Sequence, residues 1–596
     1  MLAALTGIAA TGAGAQTTAS GPYGGYSTGT VLHADALQAA AEGPRVVDGE
    51  VAFSGASALS SGLGTAINNE MNEPVQPVAA GKNAYGRGAG LELGLGTTTP
   101  NNPDANQAII AGLAEATAPP IGPLVTKEGG PIPADPVAYA SLLRGQAGAV
   151  FDPNTCTIGQ PLAYGLGFAA DAQLLDAGKA NADGSMGQPV LATDTTQNAR
   201  AVSQSKSFTY LKPNGDGTWG VVSETHQTIA PVTLFKGTAN EVTIEALGEW
   251  VLRASTTGKA GGAKIEYAPG GSPTPTTPVL RIIQPNAQTP TTTILTLQQL
   301  LSDTGVQIPA NPLVDISIGE KPRKIAAPGA IPDPKAAPVT SADGTNAAAA
   351  VDVVRVNLLQ PDATGGMHAL ELRIGHMEAK SLTPAGGITC HIPVSKTANP
   401  NPVSAGQDFV WTINIPSSPE AFAAIACDLV DISAIDNVTV ESGSPKWEIT
   451  GASNGGTVTG NNKVTWTNLG NYKLGSPPLA VTINGHVPPT SGAGVIRNTV
   501  DVTATLGNCT GGAAGNDIVG QIATITGTGT AATNKVGQPI TGAGAVSGPK
   551  VDTVLAATEL PKTGPGRPYA ALGLAFLALA AVVTAHRRRL LGSGRA

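Results

Sequence analysis

Residues 367–379 read MHALELRIGHMEA, and this stretch shows most clearly how the chain folds. Leu370, Leu372 and Ile374 fall on one face of an extended chain, and Glu371 and Arg373 fall on the other. This alternation has the period of two that is typical of a β-strand with one apolar face. The sequence therefore predicts a strand here.

The composition favours strands throughout the chain. Its 596 residues are enough for roughly three or four domains. The 76 glycines and 47 prolines favour short strands and many turns, and an aromatic content of only 4% indicates cores built from small side chains. Hydrophobic residues reach 41%, well above the level of intrinsically disordered chains, so we predict a folded, mainly β protein.

The first large part of the chain, residues 16–389, is predicted to be one irregular β-rich region, because short apolar runs are broken by Gly and Pro. Two helices are predicted within it. One covers residues 137–144, with Asp135 as N-cap, Pro136 in the first turn and Gly145 at the end; the other covers residues 296–302.

A β-hairpin is predicted between residues 207–211 and 220–223, because Asn214-Gly215-Asp216-Gly217 between them is a turn sequence. The same four residues resemble part of a calcium-binding loop. Such a loop needs further oxygen ligands at set spacings, including a late glutamate, so we interpret them as a plain turn.

Strand signals become regular over residues 390–550. Phe409, Trp411, Ile413 and Ile415 occupy alternate positions of one predicted strand. Further strands are predicted around positions 438, 447, 464–466, 479–483 and 499–506. Seven or so short strands with turns between them predict a β-sandwich.

The stretches KTANP at 396–400 and NTV at 498–500 resemble the immunoglobulin-like repeats of bacterial surface stalks. Domains of that kind sometimes contain an intramolecular isopeptide bond between a lysine and an asparagine, and Lys396 and Asn498 are possible partners for one. Because Lys and Asn side chains generally lie outside, we expect ordinary exposed positions for both.

Three signals follow one another at the C-terminal end. Leu560, Pro561, Lys562, Thr563 and Gly564 form the pentapeptide LPKTG. Residues 569–585 carry no charge, and as a helix they would span about 25 Å, slightly less than the ~30 Å hydrocarbon core of a bilayer. The next three residues resist translocation and would keep the end of the chain in the cytoplasm; they are Arg587, Arg588 and Arg589.

In this order, the three signals resemble the sorting signal of Gram-positive LPXTG surface proteins. The resemblance implies that a sortase cuts between Thr563 and Gly564 and passes the Thr563 carbonyl to an amine of peptidoglycan. It also implies a secreted protein that is anchored briefly in the membrane and is then attached covalently to the cell wall. The alternative is a plain C-terminal membrane anchor with a chance LPKTG.

Residues 1–15 predict a signal peptide, because an apolar stretch ends in Ala13-Gly14-Ala15, the small-residue pattern that signal peptidase cuts after. The basic residues that open such peptides are missing, so we interpret this one as truncated; a buried N-terminal strand is the alternative. The predicted organisation continues with the β-rich region (16–389), the sandwich (390–550), a linker (551–559) and the sorting signal (560–596), which contains a transmembrane helix at 569–585.

Three phrases resemble the actinobacterial surface proteins of the choice-of-anchor families, in particular the G type. They are GPYGGYSTGT at 21–30, AYASLLRG at 138–145, and Cys156 followed by GQP at 159–161. The resemblance implies a large β-rich architecture at the cell surface, and it implies no activity or site.

The chain has four cysteines, an even number in a sequence with export signals, which indicates disulfides. Three pairings are open. We prefer Cys427 with Cys509, both within the sandwich, and Cys156 with Cys390, which would close the upstream region. Because the cysteines are far apart and no CxxC occurs, a metal site is not expected.

Catalytic motifs are missing from the sequence: it has no HExxH, no GxSxG and no complete phosphate-binding loop, so neither an enzyme nor a cofactor is expected. The net charge of −8 argues against nucleic acid as a partner, because phosphate binding needs a basic surface. The expected partners are sortase, peptidoglycan and, before sorting, the membrane. We expect a structural or adhesive surface protein; a wall-bound glycan or peptide hydrolase and a minor pilus subunit are the alternatives.

Overall fold

A computed structural model of the chain describes residues 18–536. The described residues exclude 20, 39–44, 99–106, 131, 135–137, 141, 153–155, 171–172, 177–188, 194–201, 235–240, 272–273, 285–290, 302–305, 308–313, 331, 359–367, 419–423, 518–523 and 531–533. The expected signal peptide, the linker and the sorting signal with its transmembrane helix therefore lie outside them. Within the described part of the chain, no helix has the length and hydropathy needed to cross a membrane.

The described elements are nearly all β-strands. Up to residue 149 they are β1 (Thr18–Ala19), β2 (Gly24–Gln38), β3 (Arg45–Leu59), β4 (Ile67–Asn68), β5 (Pro74–Gln76), β6 (Ala84–Thr98), β7 (Gln107–Ala111), β8 (Ala114–Ala118), β9 (Val125–Gly129), β10 (Ile132–Ala134), β11 (Ala138–Ala140) and β12 (Leu142–Ala149). The next group is β13 (Ala163–Ala170), β14 (Gln173–Asp176), β15 (Pro189–Thr193), β16 (Val202–Pro213), β17 (Thr218–Thr228), β18 (Val232–Leu234), β19 (Val242–Ala246), β20 (Trp250–Thr256), β21 (Lys264–Ala268), β22 (Pro278–Gln284) and β23 (Thr291–Thr296).

After the short helix α1 (Leu297–Leu300) come β24 (Val306–Gln307), β25 (Val314–Ile318), β26 (Val339–Thr340), β27 (Asn346–Val351), β28 (Val354–Leu358), β29 (His368–Leu382) and β30 (Ile388–Thr389). The remaining elements are β31 (Ser395–Asn399), β32 (Asp408–Ile415), β33 (Asp428–Gly443), β34 (Glu448–Ala452), β35 (Thr457–Thr459), β36 (Lys463–Trp466), β37 (Leu479–His486), β38 (Gly494–Gly507), a 3-10 helix (Gly512–Asp517), β39 (Thr524–Thr530) and β40 (Asn534–Val536).

Antiparallel pairing joins these strands into five large sheets and the β4-β5 ribbon. Sheet A has the order β1-β30-β17-β16-β13-β12-β9, with β20 and β21 branching from β17. Sheet B runs β24-β25-β28-β29-β2-β3-β6-β7, with β27 and β26 on β29 and β8 on β6. Sheet C is β10-β11-β14-β15-β18-β19-β22-β23, sheet D is β31-β32-β37-β34, and sheet E is β35-β36-β33-β38-β39 with β40 on β38. The mainly β fold class is confirmed.

The strand predicted at 367–379 is β29, which lies in the middle of sheet B between β2 and the strands β27 and β28. The alternation predicted one apolar face and one polar face, but both faces are buried. Leu372 and Ile374 are buried on one side, and Arg373 on the other side is only 5% exposed.

Gly375 reverses the alternation within β29. Its φ of +70° is the left-handed conformation that glycine adopts without a steric penalty. Arg373 before it and His376 after it both contact the carboxylate of Asp352, so the polar side chains change from odd to even positions at this glycine. The result is one continuous polar face along β29.

The opposite face of sheet B approaches sheet A so closely that several positions have room for no side chain at all. A Cβ atom on Gly88 of β6 would overlap the carbonyl oxygen of Leu166 in β13. In the reverse direction, a Cβ on Gly165 of β13 would overlap the carbonyl oxygen of Arg87. Glycines on both sheets therefore set the distance between them.

Hydroxyl groups continue this contact where β3 crosses β16 and β17. The Oγ atom of Ser54 lies 2.7 Å from Oγ of Ser205 and 2.8 Å from Oγ of Ser207. Ser207 Oγ in turn lies 3.1 Å from Oγ1 of Thr225. These buried hydroxyls satisfy one another's hydrogen bonds, which makes a polar interface tolerable in the interior.

Two local predictions are confirmed. The turn at 214–217 joins β16 to β17, and Asp216 Oδ1 accepts a hydrogen bond from the Thr218 N–H at 3.1 Å. The helix expected from residue 296 begins as α1, where the side chain of Thr296 accepts from the Gln299 N–H and Gln299 caps in return. This helix ends at Leu300, earlier than the predicted residue 302.

The helix predicted at 137–144 is wrong, because this part of the chain forms β11 and β12. Strand β12 is paired along both edges, and Gly145 lies opposite Lys127 of β9 and Gly167 of β13. Gly145 also packs against the backbone of Gly88 in sheet B. These tertiary contacts outweigh the local capping pattern of the sequence.

Sheets D and E contribute their inward side chains to one core. Phe409, Trp411 and Ile413 of β32 are at most 1% exposed, as is Val500 of β38. The strands predicted at 409–415, 464–466, 479–483 and 499–506 correspond to β32, β36, β37 and β38. Trp447 precedes β34 instead of lying within a strand.

The core of these two sheets is continuous with one end of sheets A and B. Tyr23, Phe151 and Trp219 of the upstream region belong to the same hydrophobic cluster as Trp411 and Trp466. The described residues between 18 and 536 accordingly form a single compact unit.

We expect Gly88→Ala to destabilise the protein by about 3 kcal/mol, because its methyl group would meet the backbone of sheet A, which cannot move aside without breaking strand pairing. Gly122→Ala is the matched control, since no atom lies within 4 Å of a Cβ added there. Chemical denaturation measures both variants. Equal stability would mean that the two sheets do not meet this closely.

Candidate functional site

The sorting-signal residues 560–564 and the arginines at 587–589 lie outside the described residues. The structure does place all four cysteines, as Cys156–Cys390 and Cys427–Cys509. These are the two pairings preferred from the sequence. Their Cα–Cα distances are 5.5 Å and 3.9 Å, respectively.

Both disulfides flank the segment by which the upstream region contacts the sandwich. Ile158 forms a parallel bridge with Ile425. The Ile158 N–H donates to the Ala424 carbonyl at 3.0 Å, and the Ala426 N–H donates to the Ile158 carbonyl at 2.8 Å. Gly159, the next residue, packs against the sulfur of Cys427.

A buried ionic cluster lies on the polar face of β29. We call it the arginine cluster, and its members are Glu70, Arg323, Asp352, Arg373, His376 and Glu378. Every member is at most 5% exposed. Because an isolated buried charge is strongly unfavourable, such groups persist only when each one is paired.

Arg323 is the central cation of this cluster. Its Nη1 lies 2.5 Å from Glu70 Oε1, and its Nη2 lies 2.7 Å from Asp352 Oδ2. Arg373 Nη1 reaches the other oxygen of Glu70 at 3.2 Å. Burial raises the pKa values of Glu70 and Asp352, but the neighbouring cations lower both below their usual range.

His376 bridges two carboxylates. Its Nδ1 lies 2.7 Å from Asp352 Oδ1, and its Nε2 lies 3.0 Å from Glu378 Oε1. Burial lowers the pKa of His376, but Asp352 and Glu378 raise it more strongly, to about 9. His376 is therefore the imidazolium form at neutral pH and serves as a third cation.

Ligand atoms of Glu70, Asp352 and His376 lie within 4.8 Å of one another, which is close enough for a metal ion. The two arginines already occupy the space beside both carboxylates. A protonated His376 also has no lone pair to offer a metal. This arrangement fits a structural ion cluster better than a metal centre.

A second acidic group, Glu50, Glu73 and Glu92, has carboxylate oxygens within 4.8 Å of one another. Oxygen ligands of this kind suit hard cations. Arg87 Nη2 pairs with Glu92 at 2.5 Å. Burial raises the pKa of Glu50 well above its usual range, and the nearby carboxylates, Glu73 first among them, raise it further.

The third polar group lies inside the sandwich and consists of Lys396, Asp436 and Asn498; we call it the lysine site. Lys396 is 7% exposed, and Asp436 and Asn498 are fully buried. The expectation that Lys396 and Asn498 lie at the surface is therefore wrong. Each occupies an inward position of its strand, where the alternation of neighbouring residues predicts an apolar side chain.

Three strands of the two facing sheets supply this site. Lys396 comes from β31 in sheet D, Asp436 from β33 in sheet E, and Asn498 from the adjacent β38. Asn498 is directly opposite Val438 in the register of β33 and β38, which makes Asp436 its diagonal neighbour. Lys396 Nζ crosses the core and donates a hydrogen bond to Asp436 Oδ2.

The environment of this site favours uncharged forms. Burial lowers the pKa of Lys396 to about 8, although Asp436 acts in the opposite direction. Burial raises the pKa of Asp436, although Lys396 and Asn498 lower it. The Nζ atom also lies 5.8 Å from the centroid of the Trp411 ring, so an apolar wall covers the amine.

Asn498 approaches Asp436 closely enough to affect its pKa, yet among the described residues neither amide atom of Asn498 has a partner in hydrogen-bonding geometry. A buried amide group without a hydrogen-bond partner lowers the free energy of unfolding by about 1–3 kcal/mol. Asp436 belongs to no motif of the sequence. The signal for it was the single polar residue at an inward position of the series Ile432, Ala434, Asp436 and Val438.

Comparison with known proteins gives little for this chain. No family model matches it, and no curated protein matches it. Among solved structures, the Mu homology domain of Fcho1 from Danio rerio with bound Eps15 peptide is 8% identical, covers 55% of this chain and 93% of its own, and has a TM-score of 0.15. The N-terminal domain of the Streptococcus gordonii adhesin Sgo0707 is 11% identical, covers 63% and 85%, and has a TM-score of 0.14. Neither likeness is strong enough to support a conclusion about fold or function.

Loss of the Cys427–Cys509 disulfide should lower the free energy of unfolding by about 4 kcal/mol on the chain-entropy model, because the bond links residues 82 positions apart. We would measure it by denaturation of the double variant Cys427→Ala/Cys509→Ala. Peptide mapping of unreduced wild type checks the linkage itself. Recovery of Cys427 joined to Cys156 or Cys390 would contradict the pairing.

The raised pKa of His376 predicts that stability falls in alkali. Because the folded-state value of about 9 exceeds the usual 6.5, the histidine contributes fully below pH 6.5, and this contribution is lost as pH rises through 9. The loss from His376 is about 3 kcal/mol at most. We expect His376→Asn to flatten the decline of stability between pH 7 and pH 9.5, measured by denaturant titration.

Met377→Leu is the control for this experiment, since it alters the adjacent buried residue of the same strand without removing a titrating group. It should retain the wild-type decline in alkali. Equal pH dependence in wild type and His376→Asn would show that the imidazole is not held protonated by Asp352 and Glu378.

Proposed function

We propose that this chain is a surface protein that a sortase links to peptidoglycan through Thr563, and that its role is structural or adhesive. The observation that supports the anchoring most directly is the order of three C-terminal signals. The LPKTG pentapeptide at 560–564 comes first, the uncharged run at 569–585 follows, and the arginines at 587–589 come last.

Each signal has a physical task in this proposal. Pro561 lacks a backbone N–H and disfavours the helical conformation at Leu560, so the pentapeptide stays extended and accessible to an enzyme groove. The apolar run is long enough to pause in a membrane, and the arginines oppose its release. Together they hold Thr563 outside the membrane, within reach of a membrane-bound sortase.

We propose that the chain upstream of the sorting signal is the part displayed at the cell surface. Two disulfides suit a protein that leaves the reducing cytoplasm. We propose that sheets D and E form an immunoglobulin-like sandwich next to the wall and that the larger β-rich region is carried beyond it. The resemblance to the choice-of-anchor families supports a large β-rich architecture at the cell surface.

Thr563→Ala should leave the protein in the membrane, where detergent extracts it, because the apolar run is intact while the acyl transfer is blocked. Wild type should resist detergent and be released only by a muralytic enzyme, with peptidoglycan fragments on a C-terminal Thr563. Thr553→Ala, ten positions upstream, is the matched control and should behave as wild type. Fractionation followed by mass spectrometry of the C-terminal peptide measures all three.

Full extraction of wild type by detergent, with Ala596 still attached, would contradict sortase anchoring and leave the apolar run as a simple membrane anchor. Wild type joined through Thr563 to a lysine of another protein, rather than to peptidoglycan, would instead indicate a pilus subunit.

A further inference from the structure

We propose that Glu50, Glu73 and Glu92 form a binding site for one calcium ion inside the upstream region. We call it the glutamate site. Its three carboxylates come from β3, from the turn between β4 and β5, and from β6. The inference does not depend on how the chain is anchored or on any role at the cell surface.

The first support is the distance between the ligand atoms. One carboxylate oxygen from each of the three glutamates lies within 4.8 Å of the other two. Calcium binds oxygen atoms at about 2.3–2.6 Å, so two oxygens on opposite sides of one ion are about 4.6–5.2 Å apart. The separation of the three oxygens is therefore compatible with a single calcium ion.

The second support is one oxygen atom of Glu50. Glu50 Oε1 is turned toward β2, where the Thr30 hydroxyl donates to it at 3.4 Å and His33 Nδ1 lies 3.4 Å away. Among the described residues, Glu50 Oε2 has no hydrogen-bond partner, although the residue is only 2% exposed. Because β3 lies between β2 and β6, Oε2 is on the side of Glu92. A buried carboxylate oxygen in this position needs a donor or a cation.

The third support is the charge around Glu50. Glu50 is directly opposite Glu92 in the register of β3 and β6, and like charges in such a pair are unfavourable. Burial raises the pKa of Glu50 most, Glu73, Glu92 and Asp48 raise it further, and Arg87 lowers it. The arginine cluster, in contrast, has three cations for its three carboxylates. A divalent cation in the glutamate site would replace repulsion between carboxylates by attraction to the ion.

The turn at residues 69–73 holds Glu73 in place. The Asn69 N–H donates to the Glu73 carbonyl at 3.0 Å, and the Glu73 N–H donates to Asn69 Oδ1 at 2.8 Å. Glu70 of the same turn pairs with Arg323 at 2.5 Å. One short turn thus carries one carboxylate into the arginine cluster and another into the glutamate site. Calcium would link this turn to β3 and β6, so binding should stabilise the fold.

The test is calcium binding by the purified full chain after removal of metal ions with EDTA. We expect isothermal titration calorimetry to give one site per chain, and calcium should raise the midpoint of thermal unfolding. Magnesium at the same concentration should bind more weakly, because it requires near-octahedral geometry at about 2.0–2.1 Å and loses its water reluctantly. An equal shift with the two ions would overturn the assignment to calcium.

Glu50→Gln tests the position of the site. Glutamine has the shape of a protonated glutamate, so the variant should fold, and the loss of one like charge should raise its stability in EDTA. Its affinity for calcium should fall by at least about tenfold, since even the loss of a group that only orients a metal ligand has an effect of that size. Glu224→Gln is the matched control, because it removes another buried carboxylate, from β17, and it should keep the wild-type affinity.

The wild-type titration alone decides whether a site exists, whatever the variants do to folding. Failure of wild type to bind calcium would overturn the proposal and would mean that protons, and not a metal ion, neutralise these carboxylates. Equal calcium affinity in wild type and Glu50→Gln would overturn it as well, because the ion would then bind elsewhere on the chain.

Discussion

The close contact between sheets A and B constrains the rest of the upstream region. Packed sheets ordinarily lie about 10 Å apart, with side chains filling the space between them. Here the carbonyl oxygens of Leu166 and Arg87 occupy the space that a Cβ atom would need at Gly88 and Gly165. The interface therefore depends on backbone contact and on hydroxyl pairs such as Ser54 with Ser205. A chain with abundant glycine and few aromatic residues is what such an interface requires.

That interface also determines where the charges go. Where sheet B meets sheet A most closely, its face holds glycine and small hydroxyl residues, and the long polar side chains of β29 lie on the other face. Segments around Glu70 and Arg323 cover that face and bury it, and the buried carboxylates then need cations beside them. The arginine cluster is thus a consequence of covering both faces of a strand such as β29. The reversal of the alternation at Gly375 keeps the polar side chains of β29 on one face of sheet B.

The sequence predicts this fold only where the local pattern and the tertiary environment agree. Alternation located β29 and the sandwich strands, and the turn at 214–217 was clear from its residues. The prediction of a helix at 137–144 is wrong because Gly145 resembles a helix end in the sequence. In the structure, Gly145 lies where sheet A contacts sheet B. The burial of β29 on both sides is not predictable from the local sequence. An arginine such as Arg373 is normally exposed, and it is buried here because Glu70 and Asp352, which are distant in sequence, pair with it.

The lysine site shows the same limit of sequence-based prediction, and it also shows a sequence signal that indicates buried polar residues. General preference predicts Lys396 and Asn498 outside, whereas in the structure both occupy inward positions of β31 and β38. Asp436 occupies an inward position of β33 in the same way. Two polar residues at inward positions of separate strands indicate a buried polar site more strongly than either residue alone. A single amine or amide without a partner in a core would destabilise the fold by its desolvation penalty. The contact between Lys396 and Asp436 therefore offsets the desolvation penalty that each group would carry alone in this core.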